Sequence, residues 1–312
     1  MHRWVNEGEK KERRLIADSS RAFLQTARET PDYSLFDLVH GYVYGRWPYL
    51  YISIGVGEHP LVRVLGPLFR LYRRLFRRHP QHSNARGFAD GYHGKVVPLD
   101  EARRLVTINE AVTVPDLEQV IPYARARSII LRNPDHIVAL QCPCRAARAA
   151  PCRPLDVCLI VGEPFASFVA EHQPRRSRRI TSEEAVAILQ AEHERGHVHH
   201  AFFKDAMLQR FYAICNCCSC CCGAMQAQRN GTPMLASSGY VSRVDEDACI
   251  ACGDCVELCP FEALTLGEYA AVVDEDLCMG CGVCATHCVQ EALTLVREPA
   301  KGPPLRVESL LA

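Results

Sequence analysis

Eighteen cysteines stand in this chain of 312 residues, all of them between Cys142 and Cys288. Eight follow a repeated spacing, C-x2-C-x2-C-x3-C: Cys249, Cys252, Cys255 and Cys259, then Cys278, Cys281, Cys284 and Cys288. Thiolate is the soft ligand that zinc, copper(I) and iron–sulfur clusters select. Three thiolates on one tight loop can wrap three corners of a metal–sulfur cube. The fourth corner must come from elsewhere, because the chain leaves that loop as a helix. Zinc usually takes two C-x2-C pairs, and these three-plus-one runs are not that pattern. The segments 247–266 (DACIACGDCVELCPFEALTL) and 276–295 (DLCMGCGVCATHCVQEALTL) are offset by 29 residues, and EALTL recurs unchanged. The unit is duplicated.

Ten further thiols lie upstream: Cys142, Cys144, Cys152 and Cys158 in C-P-C-x7-C-x5-C, and Cys215, Cys217, Cys218, Cys220, Cys221 and Cys222 in C-N-C-C-S-C-C-C. The count fits two more four-thiol clusters with two thiols spare, or one cluster and an unusual site. Each segment can serve its own cluster, or ligands can be drawn from both. Neighbouring residues on a strand point to opposite faces, so one short run cannot aim six thiols at a single cube. A zinc site and a transient redox disulfide are the other chemistries open to this region.

With these residues in view, 243–297 resembles a bacterial-type ferredoxin domain with two [4Fe–4S] clusters, whose sequence run ends C-P as Cys259-Pro260 does here. The resemblance implies interleaved ligation: Cys249, Cys252, Cys255 and Cys288 on one cluster, Cys278, Cys281, Cys284 and Cys259 on the other. Val289 stands where the second run should end in proline, and His287 adjoins Cys288, so the two potentials are expected to differ from the family's. Small residues nearby (Ala251, Gly253, Gly280, Gly282, Ala285) let backbone N–H groups approach the sulfurs. The CPCR…CNCCSCCC arrangement is similar to that of iron–sulfur proteins of anaerobic-type metabolism, which implies no substrate.

The elements that must position these thiols are less explicit. Apolar residues make 48% of the chain and charged ones 23%, ordinary for a globular protein of about two domains. The first twenty residues carry charges where a secretory leader needs an apolar run. No stretch is long and apolar enough for a spanning helix. Many thiols in a long chain of this kind point to a reducing compartment and to metal rather than disulfides.

Net charge is zero, from 36 basic and 36 acidic residues, yet the two signs are segregated. Arg63, Arg70, Arg73, Arg74, Arg77, Arg78 and Arg86 lie between Glu58 and Asp90 with no acid among them. Eleven acids and no Lys or Arg lie between Val244 and Val296. Leu61, Val64, Leu65, Leu68, Phe69, Leu71, Tyr72, Leu75 and Phe76 approximate an apolar face among the arginines, interrupted near Gly66-Pro67. That helix is expected to lie on an anionic membrane surface or dock on an acidic partner. No nucleic-acid reading motif accompanies it.

Residues 1–30 read as a polar helix, 33–56 as aromatic-rich but broken by Pro48, and 79–95 as a loop. KVVPL, SIIL, DHIVAL and DVCLIVG are short strand candidates. TSEEAVAILQAEHERG reads as a helix capped by Thr181 or Ser182 and stopped by Gly196. His193–His197 matches H-E-x-x-H, a zinc-protease pattern, but Gly196 falls inside it and spoils the i,i+4 alignment. It reads instead as a polar helix end. No dinucleotide fingerprint, Walker A loop or nucleophile elbow is found, so no nucleotide or flavin site is expected.

The expected architecture is α/β or α+β: a basic, aromatic docking region (1–95), a cysteine-rich α/β domain (96–240), a small pseudo-twofold ferredoxin-like domain (241–298) and a tail (299–312). The expected function is single-electron relay between redox partner proteins, through two [4Fe–4S] clusters and up to four in all, in the cytoplasm or at the inner face of the membrane. The alternatives are an iron–sulfur oxidoreductase with a substrate-accessible cluster in Cys215–Cys222, and a redox-sensing thiol protein. Whether the chain is itself an enzyme is left open by the sequence.

Overall fold

The structure, a computed structural model, describes residues 16–62, 64, 66, 91–114 and 129–308. Most of the arginine-rich segment, including Arg63, lies outside them. Three helices come first: α1 (Asp18–Glu29), α2 (Leu35–Arg46) and α3 (Pro48–Gly55). Ser34 caps α2 by a reciprocal capping box with Asp37, and Pro48 opens α3, where its missing N–H costs nothing. Of the stretch 1–30 read as a polar helix, residues 16–30 are described and the helix begins at Asp18; residues 1–15 lie outside them.

Next come β1 (Tyr92–Val96), α4 (Leu99–Thr107), β2 (Val112–Val114), β3 (Ile129–Gln141), α5 (Pro143–Ala146), β4 (Asp156–Glu163) and α6 (Phe165–His172). The central unit is completed by β5 (Ser177–Ile180), α7 (Ser182–Glu194), β6 (Val198–Lys204), β7 (Arg210–Cys217), α8 (Gly223–Arg229) and β8 (Leu235–Ala236). The strands form one sheet in the order β2-β3-β4-β7-β6-β1-β8, with β5 beside β3. Every pairing is antiparallel except β1 with β8.

Two sequence expectations change here. SIIL and DHIVAL are one strand, β3, which continues through a register shift between Arg132 and Ile137, with Asn133 at φ 50°. Residues 92–95, read as loop, are the start of β1, because β6 and β8 supply hydrogen-bonding edges on both sides that the local sequence does not announce.

Alternation of side chains sends Val138, Leu140, Cys158 and Ile160 to one face of the sheet, where Phe23 of α1 and Phe165 and Phe168 of α6 cover them. Ile137, Ala139, Leu159 and Val161 go to the other, under Leu105 of α4 and Leu189 of α7. Helix α2 lies so close to the turn after β6 that a Cβ on Gly41 would fall 1.8 Å from Ala206 O, so only glycine fits there. Tyr33 Oη donates to that same carbonyl at 2.7 Å.

The remaining elements are β9 (Tyr240–Val244), α9 (Asp254–Leu258), β10 (Leu264–Leu266), β11 (Ala271–Val273), α10 (Val283–His287) and β12 (Leu293–Arg297). β9 pairs with β12 and β10 with β11, two small antiparallel ribbons with one short helix per repeat. After a 3-10 turn at Pro299–Lys301 the chain returns to the central unit. Leu305 and Val307 are buried in the α4 side of the core, Lys95 Nζ donates to Pro303 O (2.9 Å), and Val307 N donates to Glu101 Oε2 (3.0 Å). No helix among the described residues is long and apolar enough to cross a membrane.

Candidate functional site

The eight C-terminal thiols line two voids. Cys249, Cys252 and Cys255 share one with Cys288 of the other repeat, and Cys284 borders it too. Cys278, Cys281 and Cys284 share the other with Cys259. Interleaving follows from the short helices: α9 ends at Cys259, whose extended backbone carries its thiol away from the loop that holds Cys249–Cys255. Hydrogen-bond donors already face the sulfurs. Ala263 N donates to Cys259 Sγ (3.3 Å), Ser242 N to Cys278 Sγ (3.5 Å), and Ser242 Oγ lies 3.4 Å from Cys284 Sγ. Soft donors gathered in this way, with backbone N–H groups on Cys259 and Cys278 in the second void, suit thiolate-bound clusters. Val289 is exposed at the rim of the first void, and His287 lines it, its ring nitrogens 2.8 Å from Val283 O and 3.1 Å from Glu194 O.

The ten upstream thiols divide across their two segments. Cys152, Cys218, Cys220 and Cys221 bring their sulfurs within 4.8 Å of one another. Cys152 and Cys220 are 2.8 Å apart, and Cys220 is exposed. The loop that carries three of them is pinned by side chains: Arg148 donates to Cys221 O (3.3 Å), Gln226 to Cys220 O (2.9 Å) and Arg229 to Ser219 O.

The other six gather on the opposite side of that loop. Cys158 on β4 and Cys215 on β7 are direct cross-strand partners. Cys217 lies two residues on, facing the same way, while Asn216 points to the other face, bound to Val157 O (2.7 Å) and His199 Nδ1 (2.6 Å). Cys142 stands between β3 and α5, Cys144 sits on α5 and Cys222 precedes α8. All six line one void, walled by Tyr44, Tyr92 and Phe202, and Cys218 of the other group reaches it as well. Contact with Cys144 and burial push the Cys142 thiol up to about 12, and burial does the same to Cys217 against a lowering contact with Cys222. A raised thiol of this kind is suited to losing its proton to a bound cation, the chemistry of a metal centre.

Residues 242–265 and 271–294 each match the family model of the 4Fe-4S binding domain. The C-terminal segment is a two-cluster ferredoxin segment. Its two motifs are those of a pair of [4Fe–4S] clusters, and the segment covers a minority of the chain. No curated protein matches the chain.

The ferredoxin segment is docked by its second repeat. His193 Nε2 lies 2.8 Å from Thr286 Oγ1, and Cys281 and Val283 belong to the same buried core as Cys142, Cys158, Cys217 and Cys222. His193 is therefore occupied at the domain contact. His197, beyond the turn at Gly196, pairs with Glu192 Oε2 (2.7 Å), and Glu194 is exposed. The H-E-x-x-H residues thus meet different partners and assemble no common centre.

Several residues around the thiols carried no motif. Arg145 is buried between the two upstream groups, held by Glu192 (2.5 Å), Pro154 O (2.6 Å) and Asn216 O (3.0 Å). Its only sequence signal is its place after C-P-C. Lys204 is also buried, its Nζ 4.2, 4.7 and 5.3 Å from the ring centres of Tyr92, Tyr44 and Tyr51. Burial lowers Lys204 to about 7, while the three ring faces favour its charged form. Tyr44 Oη and Tyr212 Oη share a hydrogen bond of 2.8 Å beside the six-thiol void.

Proposed function

We propose that the protein relays single electrons along a file of iron–sulfur clusters, from a redox partner at one end to a partner at the other. The observation that carries this reading is the shared core of Cys281 and the six-thiol void, which docks the ferredoxin segment against the upstream thiols instead of leaving it on a free tether. In this reading Cys249, Cys252, Cys255 and Cys288 hold one ferredoxin cluster and Cys278, Cys281, Cys284 and Cys259 the other. Cys152, Cys218, Cys220 and Cys221 hold a third, open to solvent at Cys220, and the six-thiol void holds a fourth. Such clusters supply reversible one-electron chemistry. The chain's own contribution is thiolate ligation, N–H donors at the sulfurs, and exclusion of water from the middle of the file.

The acidic face of the ferredoxin segment suits a basic redox partner, steered by long-range attraction. Leu35, Phe36, Val39, Val43, Trp47, Leu50 and Ile54 are exposed along α2 and α3, just before the arginine-rich segment 61–78 in the sequence. An apolar face followed in the sequence by seven arginines with no acid among them supports docking on an anionic membrane surface from the cytoplasmic side. The deciding experiment is iron and acid-labile sulfide per chain after anaerobic purification, with EPR of the reduced form. About sixteen irons are expected for four clusters; about eight would confine the clusters to the ferredoxin segment and overturn the longer file.

A further inference from the structure

Arg145 is a buried cation among the upstream thiols, with its side chain 1% exposed. It lines the central void together with Cys142, Cys144 and Cys218. Cys218 is also one of the four thiols gathered around Cys152, so Arg145 stands where the two upstream groups meet. Its Nη1 donates to Pro154 O, and its Nη2 to Glu192 and Asn216 O. Its Nε is buried and has no hydrogen-bond partner among the described residues. A buried charged donor left unclaimed is costly. A group held in the void by thiolates, with sulfur acceptors of its own, can claim it.

The thiols and the guanidinium already act on each other. Burial pushes the Cys218 thiol up to about 11, and Arg145 pulls the other way. Burial works against the charge of Arg145, while Glu192, then Cys218 and Cys142, sustain it. Arg145, and not its partner Glu192, is among the residues lining the void, so the ion pair presents its positive end there. A charge at this depth acts through a low dielectric and is little screened by salt. The ferredoxin segment has the opposite setting, with eleven acids and no Lys or Arg between Val244 and Val296. A cluster gains one negative charge when it is reduced. A buried cation beside it therefore favours reduction, and a surround of acids opposes it.

We infer that Arg145 holds the upstream clusters at a higher reduction potential than the ferredoxin clusters, so that electrons run from the ferredoxin segment to the upstream thiols. The inference rests on the upstream-cluster reading above and gives its file a direction. At each step one electron leaves a reduced cluster of the ferredoxin segment and one arrives at an oxidised upstream cluster. No bond is made or broken and no proton moves. A reducing carrier protein refills the ferredoxin end, and an oxidising carrier protein empties the upstream end. Arg145 acts through its charge and is neither a ligand nor a proton carrier.

The test is an anaerobic, EPR-monitored redox titration of the full chain, with iron counted in every sample. Signals altered in C249S/C278S belong to the ferredoxin segment, and the others to the upstream clusters. In wild type the upstream signals should appear at the higher potentials. R145M/E192M removes the ion pair and fills its space. It should keep its iron and lower the upstream potentials by about 59 mV, a tenfold change in the one-electron equilibrium, while the ferredoxin potentials stay in place. R145K keeps the charge and should leave the upstream clusters above the ferredoxin ones. The proposal is overturned by upstream potentials unmoved in R145M/E192M, by an R145K as low as R145M/E192M, or by a wild type whose upstream clusters are reduced last. Iron lost from both variants makes Arg145 a structural support only and overturns it as well. About eight irons in wild type would instead defeat the upstream-cluster reading itself, whereas failure with more iron than that falls on Arg145 alone.

Discussion

Arg145 and Glu192 form an ion pair at 2.5 Å in which both side chains are 1% exposed, joining the C-P-C-R turn to the last helical turn of α7. The carboxylate raises Arg145 further above its ordinary value, against the pull of burial. Breaking such a pair from one side leaves an unpaired buried charge, which costs about 3–5 kcal/mol. Glu192→Gln should therefore lower the thermal midpoint sharply and loosen both upstream thiol groups, read as iron lost on desalting. Arg145→Met with Glu192→Met should recover much of that loss; a double variant as unstable as the single would refute the pairing argument.

Lys204 gives a pH signature. Its folded value of about 7 lies below the ordinary 10.5, so between those limits the unfolded chain binds more protons than the folded one, and stability rises with pH. Below about pH 7 the full cost of burying the ammonium is present. Lys204→Met should raise stability most at pH 6, with an advantage that shrinks by about 1.4 kcal/mol per unit as the pH climbs towards 10. Denaturation midpoints of both proteins across that range check it, and parallel curves would contradict it.

Ser242 touches the second ferredoxin void twice, through N–H to Cys278 and Oγ near Cys284. The Cys284 thiol donates to Ser242 Oγ here; against a cluster-bound thiolate, which has no proton, the hydroxyl donates instead and favours the more negative, reduced state. Ser242→Ala should shift that potential downward by about 40 mV, the equivalent of one hydrogen bond of about 1 kcal/mol. An EPR-monitored redox titration reads the shift, and an unmoved potential would remove the hydroxyl from the account.

The charge asymmetry predicts salt dependence. Electron transfer between the ferredoxin segment and a basic carrier protein should slow as ionic strength rises, whereas a neutral carrier should be indifferent. Stopped-flow rates from low to high salt decide it; a flat response with the basic carrier would end the steering argument.

The apolar face of α2 predicts lipid binding. Wild type should sediment with vesicles rich in anionic lipid and not with zwitterionic ones, and L35D/V39D should reduce that binding at least tenfold. Both positions are exposed, so the fold should be unaffected. Equal sedimentation of variant and wild type would leave that face to a protein partner.

The ferredoxin segment was legible because its ligand spacing is local: three thiols on one loop and a fourth a few residues on describe their own geometry. The grouping of the ten upstream thiols was not, since it depends on β4 meeting β7 in the register that opposes Cys158 to Cys215, and on Cys152 crossing to the 218–221 loop. Strand alternation announced only that the six thiols of 215–222 cannot all aim at one cube, not how they divide. The start of β1 was hidden for a related reason. Its GYHGK run has two glycines and a lysine, and becomes a strand through its neighbours, with Lys95 finding Pro303 O from a distant part of the chain.

That same return of residues 303–307 to the central unit has a mechanical consequence. The ferredoxin segment leaves the sheet after β8 and is fastened to it again beyond β12, so it has no single hinge about which to swing. A carrier on a one-ended linker must search for its donor at every turnover, and its rate then falls as solvent viscosity rises. Here both ends are moored, the donor–acceptor spacing is fixed when the chain folds, and internal transfer should be deaf to viscosity.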